Sequence, residues 1–131
     1  MRKKGLLHPE LCRTITAMGH TDTLVVADAG LPIPRGVARI DLALVPGLPG
    51  FLHTVKAILA EFKVESALCA EEIVTLNPNV LEGLQALLGD IPLHFIPHEA
   101  FKRKTGEASA VVRSGECTPY ANVILVAGVT F

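Results

Sequence analysis

Little in this chain points to nucleic acid, a membrane, a metal or a nucleotide. Its 131 residues carry 12 basic and 13 acidic side chains, a formal net charge of −1. No basic stripe stands out, and without one a phosphate backbone has no electrostatic partner. No run approaches the roughly 18 apolar residues of a membrane span. Arg2-Lys3-Lys4 resembles the opening of a signal peptide, but His8, Glu10 and Arg13 interrupt the apolar segment that would have to follow. The three cysteines, Cys12, Cys69 and Cys117, are odd in number and far apart. They make no CxxC pair and no metal spacing, which points to reduced structural thiols in the cytoplasm. The histidines are not spaced i, i+4 as metal ligands. There is no GxGxxG after a strand, no GxxxxGK(S/T) and no GxSxG, so dinucleotide, P-loop and nucleophile-elbow readings have no support. No cofactor is expected.

What is present is apolar. The hydrophobic set is 50% of the chain, and 11 glycines bring the sum to roughly 58%, above the ~45–50% of an ordinary soluble domain. At 131 residues the chain is long enough for one domain, residues 1–131, and too short for two. A small domain has much surface for its volume and does not easily absorb such an excess in its core. Part of the apolar surface is therefore expected in a subunit interface, the competing explanation being an unusually well-filled core with buried strands. No internal repeat, low-complexity tract or linker interrupts the pattern.

Helical and strand-like segments alternate. Leu11, Ile15 and Met18 recur at i, i+4 and i+7, which predicts a helix over Pro9–Met18. Pro9 suits its first turn and Gly19 its end. Strands are expected at Thr23–Ala27, Ala38–Leu44, Val64–Ala70, Leu93–Ile96, Ala110–Arg113 and Asn122–Ala127. Pro46-Gly47-Leu48-Pro49-Gly50 reads as a turn cluster. Further helices are expected over Phe51–Phe62, from an Asn77-Pro78 cap to about Leu88, and over His98–Lys104. Such alternation favours an α/β domain with helices packed on a mixed sheet.

Gly19-His20-Thr21-Asp22 leads into the strand, which ends at Asp28 in Ala27-Asp28-Ala29-Gly30-Leu31-Pro32-Ile33-Pro34. A histidine titrates near neutral pH and can give or take a proton. A carboxylate at a strand end can bind a hydroxyl-rich ligand, orient the histidine, or simply hydrogen-bond the turn backbone. Of the five histidines, His20 and His98 fall at element ends, on loops, where rigid flanks position functional side chains. His8 reads as a cap or surface residue, His53 as the polar side of a helix, and His94 as an alternating strand residue. Tyr120, the only tyrosine, follows a proline and by itself suggests packing. Val74 to His94 carries no motif.

Together with the two N-terminal motifs, Arg113-Ser114-Gly115-Glu116-Cys117-Thr118-Pro119-Tyr120-Ala121-Asn122-Val123-Ile124-Leu125 closely resembles the D-ribose pyranase family of small bacterial sugar mutarotases. The resemblance runs from the first helix to the last residue. It implies exchange of β-pyranose and β-furanose D-ribose, with His20 as the catalytic proton donor. It also implies Asp28, His98, Tyr120, Ala121 and Asn122 as sugar contacts, with Lys102 as a further polar contact. The Tyr120 segment is implied to reach a neighbouring subunit's His20 pocket, in a ring-shaped homo-oligomer of pentamers stacked into a decamer. The partners implied are D-ribose and, functionally, a ribokinase using the furanose. The chemistry needs no cofactor: a proton reaches the ring oxygen, another leaves the anomeric hydroxyl, and the chain recloses through a different hydroxyl. One positioned acid contributes about 10²–10⁴-fold. Two alternatives stand beside this: an L-fucose-type mutarotase acting on another sugar, and a non-catalytic sugar-binding accessory of ribose transport.

Overall fold

The computed structural model describes all residues, 1–131. The elements in chain order are α1 (Pro9–Ala17), β1 (Thr23–Ala27), β2 (Ala38–Asp41), α2 (Phe51–Leu59), β3 (Val64–Ala70), α3 (Ile73–Leu76), α4 (Pro78–Leu88), β4 (Leu93–Ile96), α5 (His98–Thr105), β5 (Ala110–Arg113) and β6 (Val123–Ala127). They form one six-stranded sheet in the order β2-β5-β1-β6-β3-β4. Only β6 runs against the others, pairing antiparallel with β1 and β3. The remaining pairs are parallel. This is the mixed sheet that the alternation predicts.

Strand direction decides where function can sit. Five strands point their carboxyl ends to one edge, the side on which open α/β sheets bind ligands. Residues 114–122, between β5 and β6, must pass that edge of β1, because β5 and β6 flank β1. The Ser114 N–H and hydroxyl both donate to the Ala27 carbonyl, at 2.9 and 2.7 Å, and the Ala29 N–H donates to the Glu116 carbonyl at 2.8 Å.

The central strands are buried on both faces, which explains their nearly unbroken apolar runs. One face packs Leu24, Val26, Val112, Val123 and Leu125 against Leu11, Phe51, Val55, Ile58, Leu84 and Leu88 from α1, α2 and α4. The other face gathers Val25, Ala27, Val111 and Ile124 under Phe101 of α5 and Leu31 of the Gly/Pro loop. Phe101 is fully buried, and truncating such a ring costs about 3–5 kcal/mol.

Several boundaries differ from expectation. Strand β2 stops at Asp41 rather than Leu44: the Asp41 carboxylate accepts the Ala43 N–H at 3.1 Å, an Asx turn that bends the chain out of the ladder. Leu44 is left 75% exposed. Helix α2 ends at Leu59 and continues to Phe62 only as a turn. A short helix, α3, was not foreseen. Gly19 does not take the left-handed cap position; α1 ends through Met18 in extended conformation, and Thr21 carries the positive φ, +69°. His8 caps α1, its Nδ1 accepting the Leu11 N–H at 3.4 Å.

Candidate active site

The residues expected to hold a sugar come together at the carboxyl edge. Asp28 follows β1 directly. Its Oδ1 accepts the Gly30 N–H at 2.9 Å, the turn role the sequence also offers. Its Oδ2 accepts from Asn122 Nδ2 at 2.8 Å. Asn122 is 1% exposed and Ala121 fully buried, so both are fixed by the core. Tyr120 adopts φ +57°, a left-handed conformation uncommon for an aromatic residue. The Asn122 N–H donates to the Tyr120 carbonyl at 2.9 Å. The His98 ring meets the Tyr120 ring edge-on, with centroids 5.0 Å apart, and stacks nearly parallel on Phe101 at 6.3 Å.

His98 opens α5, and both carboxylate oxygens of Glu72 accept its N–H, at 3.0 and 3.1 Å. A carboxylate at a helix N-terminus also complements the helix dipole. His98 Nδ1 is the one buried side-chain nitrogen or oxygen with no hydrogen-bond partner. Such an orphan is expensive in a core and ordinary in a site made to meet a ligand. Lys102 lies one turn along α5 from His98, on the same side of the helix, and pairs with Glu99 at 2.7 Å. A cleft of about 460 Å³ opens beside Asp28, walled also by Gly30, Glu116, Cys117 and Thr118. It is roomy enough for a monosaccharide.

Residues without an expected role hold the segment in place. Asn77 reads in the sequence as a helix cap, within a stretch with no motif. It makes no side-chain cap bond. Its Nδ2 donates instead to Thr118 Oγ1 at 2.9 Å and to the Pro119 carbonyl at 2.8 Å, directly before Tyr120. Glu116 accepts the Phe51 N–H, capping α2 at 3.2 Å, and the Thr118 hydroxyl at 2.9 Å. Burial works to raise the Glu116 carboxyl, but the N–H of Phe51, the Thr118 hydroxyl and N–H, and the Cys117 N–H outweigh it and hold the group below its usual range.

His20 is elsewhere. It precedes β1, whereas Asp28 follows it, and β1's five residues, rising about 3.3 Å each, separate the two ends of the strand. Within one chain Asp28 therefore does not orient the imidazole. Glu65 does, its Oε2 lying 2.8 Å from His20 Nε2. This pair was missed because the two residues are 45 apart in sequence and no local pattern joins them. No group of three or more His, Cys, Asp or Glu stands close enough to hold a metal. No helix is long and apolar enough to cross a membrane.

Known proteins of this shape share the whole chain. A family model described as the RbsD / FucU transport protein family matches residues 1–130. Curated relatives called D-ribose pyranase include those of Symbiobacterium thermophilum, 55% identical over all of both chains, and Geobacillus thermodenitrificans, 53% identical over all of this chain and 99% of that one. Bacillus subtilis RbsD, solved in complex with D-ribose, superposes with a TM-score of 0.97 at 46% identity, covering all of both chains. FucU from Bifidobacterium longum gives 0.81 at 27% identity, over 94% of this chain and 96% of that one. With the family model matching residues 1–130 and relatives about half identical over the full length, the chain belongs to the RbsD / FucU family.

Proposed function

We propose that this protein is a D-ribose pyranase, an isomerase that interconverts the β-pyranose and β-furanose forms of free D-ribose. The observation that carries the reading is full-length identity of about half to proteins of that name, joined to a polar cleft beside Asp28, one of the residues the resemblance assigns to the sugar. The alternative of an L-fucose-type mutarotase is weaker. The fucose-side relative stands at 27% identity and a TM-score of 0.81, against 46% and 0.97 for the ribose complex.

The mechanism follows from elementary requirements. Protonating the ring oxygen makes it a leaving group, and loss of the anomeric hydroxyl's proton to water forms the aldehyde as the ring C–O bond breaks. Reclosure through the neighbouring chain hydroxyl returns both protons. His20 is the proton donor. Asp28 accepts a hydrogen bond from a sugar hydroxyl, and His98, Tyr120, Asn122 and the Ala121 backbone fix the rest of the ring. Lys102 supplies a further polar contact.

The donor and the sugar-holding group lie at opposite ends of β1, so a complete site takes two copies: His20 of one beside the carboxyl edge of its neighbour. The exposed apolar side chains Leu44, Val45, Leu48, Val74 and Leu76 offer area for such contact. A ring-shaped homo-oligomer, a decamer of stacked pentamers in the cytoplasm serving a ribokinase, is the assembly this reading favours.

Exchange NMR on D-ribose tests the proposal. Native protein should accelerate pyranose–furanose exchange and His20→Ala should not. Ribose binding with no acceleration by the native protein would establish a non-catalytic sugar-binding accessory instead.

A further inference from the structure

The surroundings of His20 are more elaborate than a surface histidine requires. Its loop is tied to the end of β6 twice: the Thr21 N–H donates to the Ala127 carbonyl at 3.0 Å, and the Ala127 N–H donates to the Asp22 carbonyl at 2.8 Å. The Asp22 carboxylate closes the loop on itself by accepting the Gly19 N–H at 2.8 Å. Opposite the same end of β6, strand β3 carries a bulge. Val64 faces Ala127 and Ser66 faces Val126, so Glu65 is the extra residue with no partner across the ladder. Bulges re-aim a side chain and recur beside active sites.

Gly128 permits the approach. A Cβ there would lie 3.1 Å from Glu65 Cβ and 3.4 Å from its backbone nitrogen. The Gly128 N–H donates to the Lys63 carbonyl at 2.9 Å and closes the bulge. Loop, bulge and glycine thus converge on one contact, Glu65 Oε2 to His20 Nε2 at 2.8 Å.

We propose that Glu65 is a positioning residue for the proton donor, holding His20 through Nε2 so that Nδ1 is the nitrogen that exchanges a proton with the sugar. The inference deepens the pyranase reading and rests on it. A carboxylate accepts only, so Nε2 must carry a hydrogen. In the neutral ring that fixes the Nε2–H tautomer and leaves Nδ1 with a free lone pair. In the charged ring, the Nδ1–H is the one free to move to the ring oxygen. Orientation and tautomer are what an imidazole's second partner sets.

The test compares native protein, Glu65→Ala, Glu65→Gln and His20→Ala by ribose exchange NMR at several ribose concentrations. ¹⁵N-histidine spectra accompany it, with the His20 signals assigned by their loss in His20→Ala. Glu65 is solvent-exposed, so all three variants should fold, and far-UV circular dichroism checks that. His20→Ala should lose about 10²–10⁴-fold, the usual contribution of a general acid. Glu65→Ala should lower kcat part of that way with KM nearly unchanged, and Glu65→Gln, which keeps an acceptor oxygen, should recover some of it. Native spectra should show His20 with Nε2 protonated. Unchanged kcat in Glu65→Ala, or an Nδ1–H tautomer in the native protein, overturns the inference while leaving the pyranase reading intact. Native turnover in His20→Ala overturns His20 as the proton donor and the inference with it, and no acceleration by the native protein overturns the pyranase reading itself.

Discussion

Asn122 grips Asp28 from two directions. Its Oδ1 accepts the Asp28 backbone N–H and its Nδ2 donates to the Asp28 carboxylate, each at 2.8 Å. The buried amide thereby fixes both the strand end and the orientation of the Asp28 carboxylate. Asn122→Ala is expected to remove both bonds and leave the Asp28 N–H short of a partner. A buried group left unpaired costs about 1–3 kcal/mol, measurable as a lower urea midpoint. Ribose KM should rise more than kcat falls.

Asn77 holds the wall of the cleft from behind, through Thr118 and Pro119. Asn77→Ala loses the bonds to Thr118 and Pro119 and frees the turn that holds Tyr120 at its positive φ. A stability loss of about 1–3 kcal/mol is expected from denaturant unfolding, together with weaker ribose binding in titration calorimetry. Unchanged ribose affinity would show that the Tyr120 turn holds itself.

Glu116 predicts a pH dependence of stability. Its carboxyl is held below the ordinary 4.5 in the folded state. A depressed folded value means that its stabilisation is present above about pH 4.5 and is lost as pH falls through the lower folded value. Urea midpoints of native protein should drop across that acid range. Glu116→Gln should be less stable than native at pH 7, with the gap closing as the pH falls through the lowered folded value. Parallel curves at all pH values would exclude the effect.

The thiols should differ sharply in reactivity. Burial alone pushes Cys69 up to about 12, and the thiolate is the reactive form. Iodoacetamide should modify exposed Cys117 in the folded protein and reach Cys69 only after unfolding. Mass spectrometry of digests distinguishes the two sites.

Much of this fold was legible because its central strands are buried on both faces. Thr23–Ala27, Val64–Ala70 and Ala110–Arg113 stand where the apolar runs and turn residues place them, as does the half-exposed edge strand Leu93–Ile96. Strand β2 was overextended because Ile40, Leu42 and Leu44 continue an alternation that the Asp41 turn breaks. A side-chain bond to the backbone outweighed the periodic pattern. The candidate site residues were legible as motifs, and among them Asp28 bonds Asn122 and His98 meets Tyr120. Their supports were not. Asn77, Glu72 and Glu65 reach partners 26 to 45 residues away, and a single sequence carries no record of such pairings. The bulge that aims Glu65 leaves no composition signal either.

The separation of His20 from Asp28 by the length of β1 has a consequence for mixtures. Under the two-copy reading, each chain carries halves of two different sites. His20→Ala and Asp28→Ala proteins, each inactive alone, should regain part of the native rate when dissociated and reassembled together, since some neighbouring pairs then unite an intact donor with an intact carboxylate. Dilution should act in the opposite sense: chains that remain fully folded would fall silent once separated, so turnover per chain would depend on protein concentration.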